Sequence, residues 1–277
     1  MTEKPLSSSV FESFIEKGTY QKMKEKENFL KQSKAYLREI FEPSAEKRHE
    51  FKNGMVAKFV SKNVYETNHS SLIEELFCYL SPEFVFPLIK LDDKQLKEQN
   101  LLEELIPFQL PPKYYVRPTL NKVGKSKIII VDYLFGGQTE EELMEEIRNT
   151  NDELKLIKDE YNSLLKSQII NCPVLRDKKK VSTKYGSISL IQKKPEWNLE
   201  HLYKKYGEDI FIQYGNVQTG MLEEMVLQGA IPYELIKQHR KVVDVQLDFV
   251  VMRIEDEERL YSLYHRRKMA AAQKRLA

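Results

Sequence analysis

The chain has little of what marks secreted, membrane-embedded or metal-dependent proteins. Only two cysteines, Cys78 and Cys172, occur in its 277 residues, in unlike contexts and in no CxxC pair. Two such thiols make no disulfide framework and no thiolate metal site, and they predict a reducing, intracellular compartment. No stretch approaches the roughly 20 apolar residues of a membrane helix, so no membrane partner is expected. Met1–Val10 lacks the apolar core of a signal peptide, and the expected compartment is the cytoplasm.

Catalytic signatures are missing too. Walker, GxSxG, HExxH and Rossmann glycine patterns are absent. The five histidines (His49, His69, His201, His239, His265) have no second His, Cys or carboxylate at a ligand-like spacing. Asp92-Asp93 and Asp256-Glu257-Glu258 sit at predicted helix starts, where the positive end of the helix dipole explains them. The expectation is a protein that is not an enzyme and takes no cofactor and no metal. Charge of one sign is scarce as well. A formal net charge of +2 is too small for a molecule basic all over, so any polyanion site must come from local clustering.

What the chain does have is a pattern written twice. Around Lys47–Glu66 come basic residues, an Asn53-Gly54 turn and an alternating apolar strand. Around Lys179–Asn198 the order returns, with Tyr185-Gly186 at the turn. A long charged helix precedes each hairpin. Each is followed by short helices, an Ile-Pro pair (Ile106-Pro107, Ile231-Pro232) and an alternating strand, Lys113–Lys122 or Lys241–Ile254. The fold class this predicts is α+β: two similar helix–β-hairpin–helix–strand units joined by long coiled-coil-type helices. The implied domains are an N-terminal helix (1–18), a first unit (19–136), a second unit (137–254) and a basic C-terminal helix (255–277).

Individual elements follow from local chemistry. Ser7–Ser9 cap a helix that Gly18 ends; a second runs from Thr19 to Glu42, where Pro43 stops it. Asn-Gly predicts a type I′ turn in the first hairpin. Helices are predicted at Ser70–Leu80, Asp92–Leu105, Asn198–Tyr206 and Thr219–Gln228. Strands are predicted at Phe84–Lys90, Tyr114–Leu120, Lys127–Phe135 and Asp209–Gln213. The run Ile128-Ile129-Ile130-Val131 reads as a buried strand. Gln138–Ile169 lacks Gly and Pro and carries Leu143, Ile147, Leu154, Ile157, Tyr161 and Leu164 along one stripe. That stripe needs a partner, either the Thr19–Glu42 helix or a second copy of the chain, so a homo-oligomer through the long helices is one expectation.

Two clusters join positive charge to aromatic residues. Arg176, Lys178, Lys179, Lys180 and Lys184 approach and enter the second hairpin; Lys193 and Lys194 close it, with Tyr185 at the turn and Trp197 just beyond. Lysines on a ribbon can neutralise phosphates, and aromatic rings can stack on bases. A solubilising ribbon anchored by Trp197 explains the same residues, and so does a protein partner. The C-terminal helix offers Arg266, Arg267 and Lys268 among Tyr261, Leu263 and Tyr264, as a binding arm or as a solvated face.

The segment Thr183-Lys184-Tyr185-Gly186-Ser187-Ile188-Ser189-Leu190, placed after a long helix and before a helix ending in Gly229-Ala230-Ile231-Pro232, resembles the phage Gam-like host-nuclease inhibitors and related siphovirus coiled-coil proteins. The resemblance spans about residues 138–251. It implies a non-enzymatic phage or prophage protein of the host cytosol that binds duplex DNA or its ends, or that blocks the nuclease machinery acting on them. Two units in one chain would form an internal pseudo-dimer. The expected partners are therefore DNA or a host or phage nuclease or defence complex. The alternative is a protein–protein inhibitor or assembly factor with no DNA contact.

Overall fold

A computed structural model describes residues 6–169 and 172–276. The fold is mixed α+β with small antiparallel sheets. Among the described residues the strands are β1 (Arg48–Glu50), β2 (Met55–Thr67), β3 (Ile89–Leu91), β4 (Tyr114–Leu120), β5 (Lys180–Thr183), β6 (Gly186–Gln192), β7 (Gly215–Val217) and β8 (Arg240–Arg253). They form three sheets ordered β1-β2-β8, β3-β7 and β4-β6-β5.

The chain folds into two compact units, each discontinuous in sequence. One comprises residues 1–59, 113–194 and 249–254; the other comprises 60–112, 195–248 and 255–277. This differs from the consecutive division at 136 and 137. The pairing of short strands is the reason: β4 finds its partner β6 some 70 residues on, and β3 finds β7 more than 120 residues on. Such strands bury a face and satisfy their backbone only beside partners from the other half of the chain.

In the first unit the helices Thr19–Phe41 and Glu140–Ser163 pack side by side. Met23, Leu30 and Leu37 stand seven residues apart on one, and Ile147 and Leu154 seven apart on the other; all are buried. Lys158 Nζ reaches Glu27 Oε1 at 2.9 Å and Lys26 pairs with Glu153 across the same seam. Burial pushes the Glu27 carboxyl up, but hydrogen bonds from Lys24 and Lys158 outweigh it and hold the group below its usual range. Thr139 and Glu142 close a capping box at the start of the second helix. That helix ends at Ser163 in a π-helical turn, Leu164–Ile169.

The Asn53-Gly54 turn is not type I′. Asn53 keeps a negative φ, and only Gly54 is left-handed, at 77°. Phe51 N–H donates to the Met55 carbonyl and Gly54 N–H to that of Phe51, both at 3.0 Å. This closes a three-residue loop in which Gly54 takes the left-handed position.

The stretch 127–135 is the main departure from expectation. Among the described residues it pairs with no strand, and Ile129, Ile130 and Val131 are exposed rather than buried. It lies instead along the Thr19–Phe41 helix, whose amide side chains take up its backbone groups.

In the second unit the core gathers Leu72, Ile73, Leu76 and Phe77 of the His69–Tyr79 helix around Leu202, Phe211, Leu222 and Ile231. Asn68, Asp92 and Asn198 cap their helices through side-chain oxygens. Three local expectations change here. Phe84–Lys90 is mostly helical turns, with Pro82 and Pro87 at first or second helical positions, and only Ile89–Leu91 is strand. Asp209–Tyr214 is a helix, because Ile210 and Phe211 meet the core from consecutive positions of a turn. Asp92–Leu105 breaks into Asp93–Glu98 and Leu102–Leu105, with Asn100 left-handed between them. The alternation read along β8 is present, yet Val242, Val243, Val245 and Leu247 are all exposed, so its 241–248 part buries neither face.

Candidate nucleic-acid interface

Side chains alternate along a strand, and residues directly opposite each other in neighbouring strands share a face. The registers of β4-β6-β5 therefore sort its residues into two sets. Pro118, Ile188 and Val181 stand in one row, with Val116 beside Leu190 in the next. These apolar rows face the cluster built from Phe11, Phe14, Ile15 and Leu175. The opposite set is polar. Arg117, Ser189 and Lys180 form one row, and Thr119, Ser187 and Ser182 form the next. Tyr115 stands opposite Ile191 and is 40% exposed.

This outer face carries an arginine, a lysine, four hydroxyls and a phenol ring. No residue of the three strands is acidic. Thr119 Oγ1 and Ser187 Oγ lie 2.8 Å apart, linking β4 to β6 through their hydroxyls. Such a surface can hold an anion by charge and by short hydrogen bonds and can offer one ring to a base or sugar.

The hairpin that sets this register is clasped from one side. The Tyr185 carbonyl accepts from the Asn121 N–H at 3.0 Å, and the Lys184 carbonyl from Asn121 Nδ2 at 3.1 Å. Asn121 Oδ1 also takes the Gly124 N–H, at 2.8 Å. Gly124 is needed because any Cβ there would stand 2.2 Å from the Tyr185 carbonyl oxygen.

The residues expected at the site fall into three groups. Lys178, Lys179 and Lys180 are exposed, and of the three Lys180 stands on the outer face. Lys179 is left-handed (φ 59°) and ends the Pro173–Lys178 helix; its Nζ lies 5.0 Å from the centre of the Tyr114 ring. Lys193 and Lys194 are exposed where the chain leaves β6, and the Lys193 N–H donates to the Lys113 carbonyl at 2.8 Å.

Lys184 and Tyr185 turn the other way, toward the Leu6–Glu16 helix. The Lys184 N–H donates to Glu12 Oε1 at 2.6 Å, and Lys184 Nζ lies 3.1 Å from Glu16 Oε1. Hydrogen bonds with Tyr185 and Glu16 hold the ammonium above its usual range. Tyr185 is 3% exposed and donates its hydroxyl to Glu16 Oε1 at 2.9 Å. It is a core residue and has no free ring face for a base. Trp197 is also buried, in the second unit, with Nε1–H directed at Asp93 Oδ1. Arg266 is exposed on the Ile254–Leu276 helix of the second unit, its Nε 3.3 Å from the Ser262 carbonyl. The side chains of Arg267 and Lys268 lie outside the described residues.

Sequence reasoning passed over Tyr115 and Arg117. Their signal was the alternation Tyr115, Arg117, Thr119 along a strand whose other positions, Val116, Pro118 and Leu120, are less polar.

Among the described residues, no three His, Cys, Asp or Glu side chains gather as a metal site. No protein-family model matches this chain, and no curated protein or solved structure matches it either.

Proposed function

We propose that the protein binds DNA without catalysing a reaction, using the outer face of the β4-β6-β5 sheet and its lysine rim. The row Arg117–Ser189–Lys180, on a sheet with no carboxylate, carries the reading. Arg117 would grip a phosphate through two parallel donors, and Lys180 would neutralise the next. Ser182, Ser187, Ser189 and Thr119 would add hydrogen bonds to backbone oxygens, and Tyr115 would stack on a base or sugar. Lys178, Lys179, Lys193 and Lys194 would extend the positive field along the strand. None of these groups reads base edges in a duplex groove, so the affinity would be largely independent of sequence and strongly dependent on salt. The resemblance to phage host-nuclease inhibitors suggests the biological use: covering duplex DNA or its ends in the host cytosol against nucleases.

Fluorescence anisotropy with linear and covalently closed circular duplexes tests this. Binding that falls with salt, and that weakens in a folded Arg117→Glu/Lys180→Glu variant, is expected. A preference for the linear form would point to ends. Indifference to both DNA forms at low salt would sink the proposal and leave the protein–protein inhibitor or assembly factor as the reading.

A further inference from the structure

The stretch 129–134 exposes apolar side chains: Ile129 is 65% exposed, Ile130 64%, Val131 49% and, beyond Asp132 and Tyr133, Leu134 99%. Such a strip of β-formers on a surface calls for a partner. Its backbone shows which kind. Gln21 donates Nε2 to the Ile129 carbonyl and accepts the Ile129 N–H at Oε1, both at 2.8 Å. Asn28 Nδ2 donates to the Val131 carbonyl at 2.7 Å, and Gln32 Oε1 accepts the Tyr133 N–H at 2.9 Å. The amides of one helix thus take the place of a neighbouring strand.

Geometry makes the stretch extended. Gln21 and Gln32 are separated by about 16 Å of helix at 1.5 Å per residue. The four-residue step from Ile129 to Tyr133 covers at most about 14 Å. In an extended chain successive residues turn their N–H and C=O to opposite edges. Ile129 uses both groups on the helix, Val131 its carbonyl and Tyr133 its N–H, so the groups of Ile130 face away, and neither has a hydrogen-bond partner among the described residues. The result is half of a sheet: one edge bonded to helix side chains, the other open.

We propose that this edge takes an extended peptide from another protein as an added antiparallel strand. The peptide would carry apolar residues against Ile129–Val131 and acidic residues at its C-terminal end. Charge decides the last point. Lys122, Lys125 and Lys127 are exposed at the N-terminal end of the strip. An antiparallel partner brings its C-terminus to that end, and antiparallel pairs are the commoner and slightly stronger kind. A second copy of the chain fits less well. Pairing open edge with open edge about Ile130 sets Asp132 against Ile128 and leaves the lysines without an acid. This inference stands apart from the DNA reading, which uses a different surface of the first unit.

The test uses the full chain and two fluorescent synthetic peptides, Val-Thr-Val-Thr-Val-Asp-Glu and Val-Thr-Val-Thr-Val-Lys-Lys, followed by anisotropy. The acidic peptide should bind more tightly, by about fivefold or more. Ile130→Pro removes one outward N–H that bonds to no described residue, and should weaken binding by about fivefold or more. Ile130→Val should bind like the parent protein, and Lys125→Glu/Lys127→Glu should reverse the preference between peptides. Hydrogen exchange at the Ile130 amide of the unaltered chain should slow when the acidic peptide is added, a readout that holds even if Ile130→Pro folds poorly. Failure of the acidic peptide to bind, equal binding of both, or unchanged exchange would overturn the proposal. So would a dimer of the peptide-free protein that Ile130→Pro abolishes, since the occupant would then be a second copy.

Discussion

Arg117 of β4 and Lys180 of β5 stand opposite the same residue, Ser189 of β6, from its two sides. Both are exposed, while Lys184, five residues before Ser189, is bound to Glu16. The pairing separates lysines that can meet a phosphate from one already occupied. Arg117→Ala and Lys180→Ala should each lower the slope of log affinity for duplex DNA against log salt by about 1. Lys184→Ala should leave that slope unchanged. A salt titration by anisotropy on all three variants checks this, and equal slopes throughout would place the contact elsewhere.

Four glycines make a stability series. A Cβ on Gly186 would stand 1.9 Å from the Thr119 carbonyl oxygen, and one on Gly124 2.2 Å from that of Tyr185. Backbone cannot swing aside as a side chain does, so Gly186→Ala and Gly124→Ala should each destabilise by about 1–3 kcal/mol or more. Gly54→Ala meets no atom within 4 Å but must hold φ at +77°, which costs about 1–2 kcal/mol. Gly137→Ala has open space and no positive φ, and should be close to neutral. Urea unfolding midpoints for the four variants should fall in that order.

Parts of this arrangement were legible in the chain and parts were not. Helices with strong ends came through: Gly18, Pro43, Thr139 and Gly229 mark boundaries that chain chemistry imposes locally. The strand Tyr114–Leu120 was legible because its alternation survives without knowledge of its partner. The pairing of β4 with β6 was not, since register depends on contacts far along the sequence. Tyr185 looked like a surface aromatic because a turn is usually exposed; the Leu6–Glu16 helix covers it. Ile128–Val131 looked like a buried strand because an apolar run carries no sign that helix amides, rather than another strand, will satisfy it.

His69 gives the second unit a defined response to acid. Its Nδ1 accepts the Val217 N–H at 3.1 Å, which requires that nitrogen to be unprotonated. Burial holds its pKa below the ordinary 6.5. The unfolded chain therefore binds more protons than the folded one between the lowered value and 6.5, and stability rises with pH across that window. The contribution is complete above 6.5 and is lost as pH falls through the window. In His69→Asn, stability should depend less on pH between 7 and 5. Parallel unfolding curves for the two proteins at both pH values would show that His69 plays no such part.

Glu16 is the hinge of the contrast between Lys184 and Lys180. It accepts from the Lys184 ammonium at 3.1 Å and from the Tyr185 hydroxyl at 2.9 Å. Removing it in Glu16→Ala should have two opposite effects. Stability should fall by about 1–3 kcal/mol, because the Tyr185 hydroxyl loses its acceptor in a nearly closed site. Tyr185→Phe in the same background should recover part of that loss, since the hydroxyl is then gone as well. DNA affinity should rise at low salt, because Lys184 is released and a negative charge beside the hairpin is deleted. Lys184→Ala added to Glu16→Ala should remove part of that gain. If Glu16→Ala destabilises the fold but leaves DNA affinity unchanged at every salt concentration, the hairpin's field does not reach the bound nucleic acid, and the contacts assigned to Arg117 and Lys180 would have to be reassigned with it.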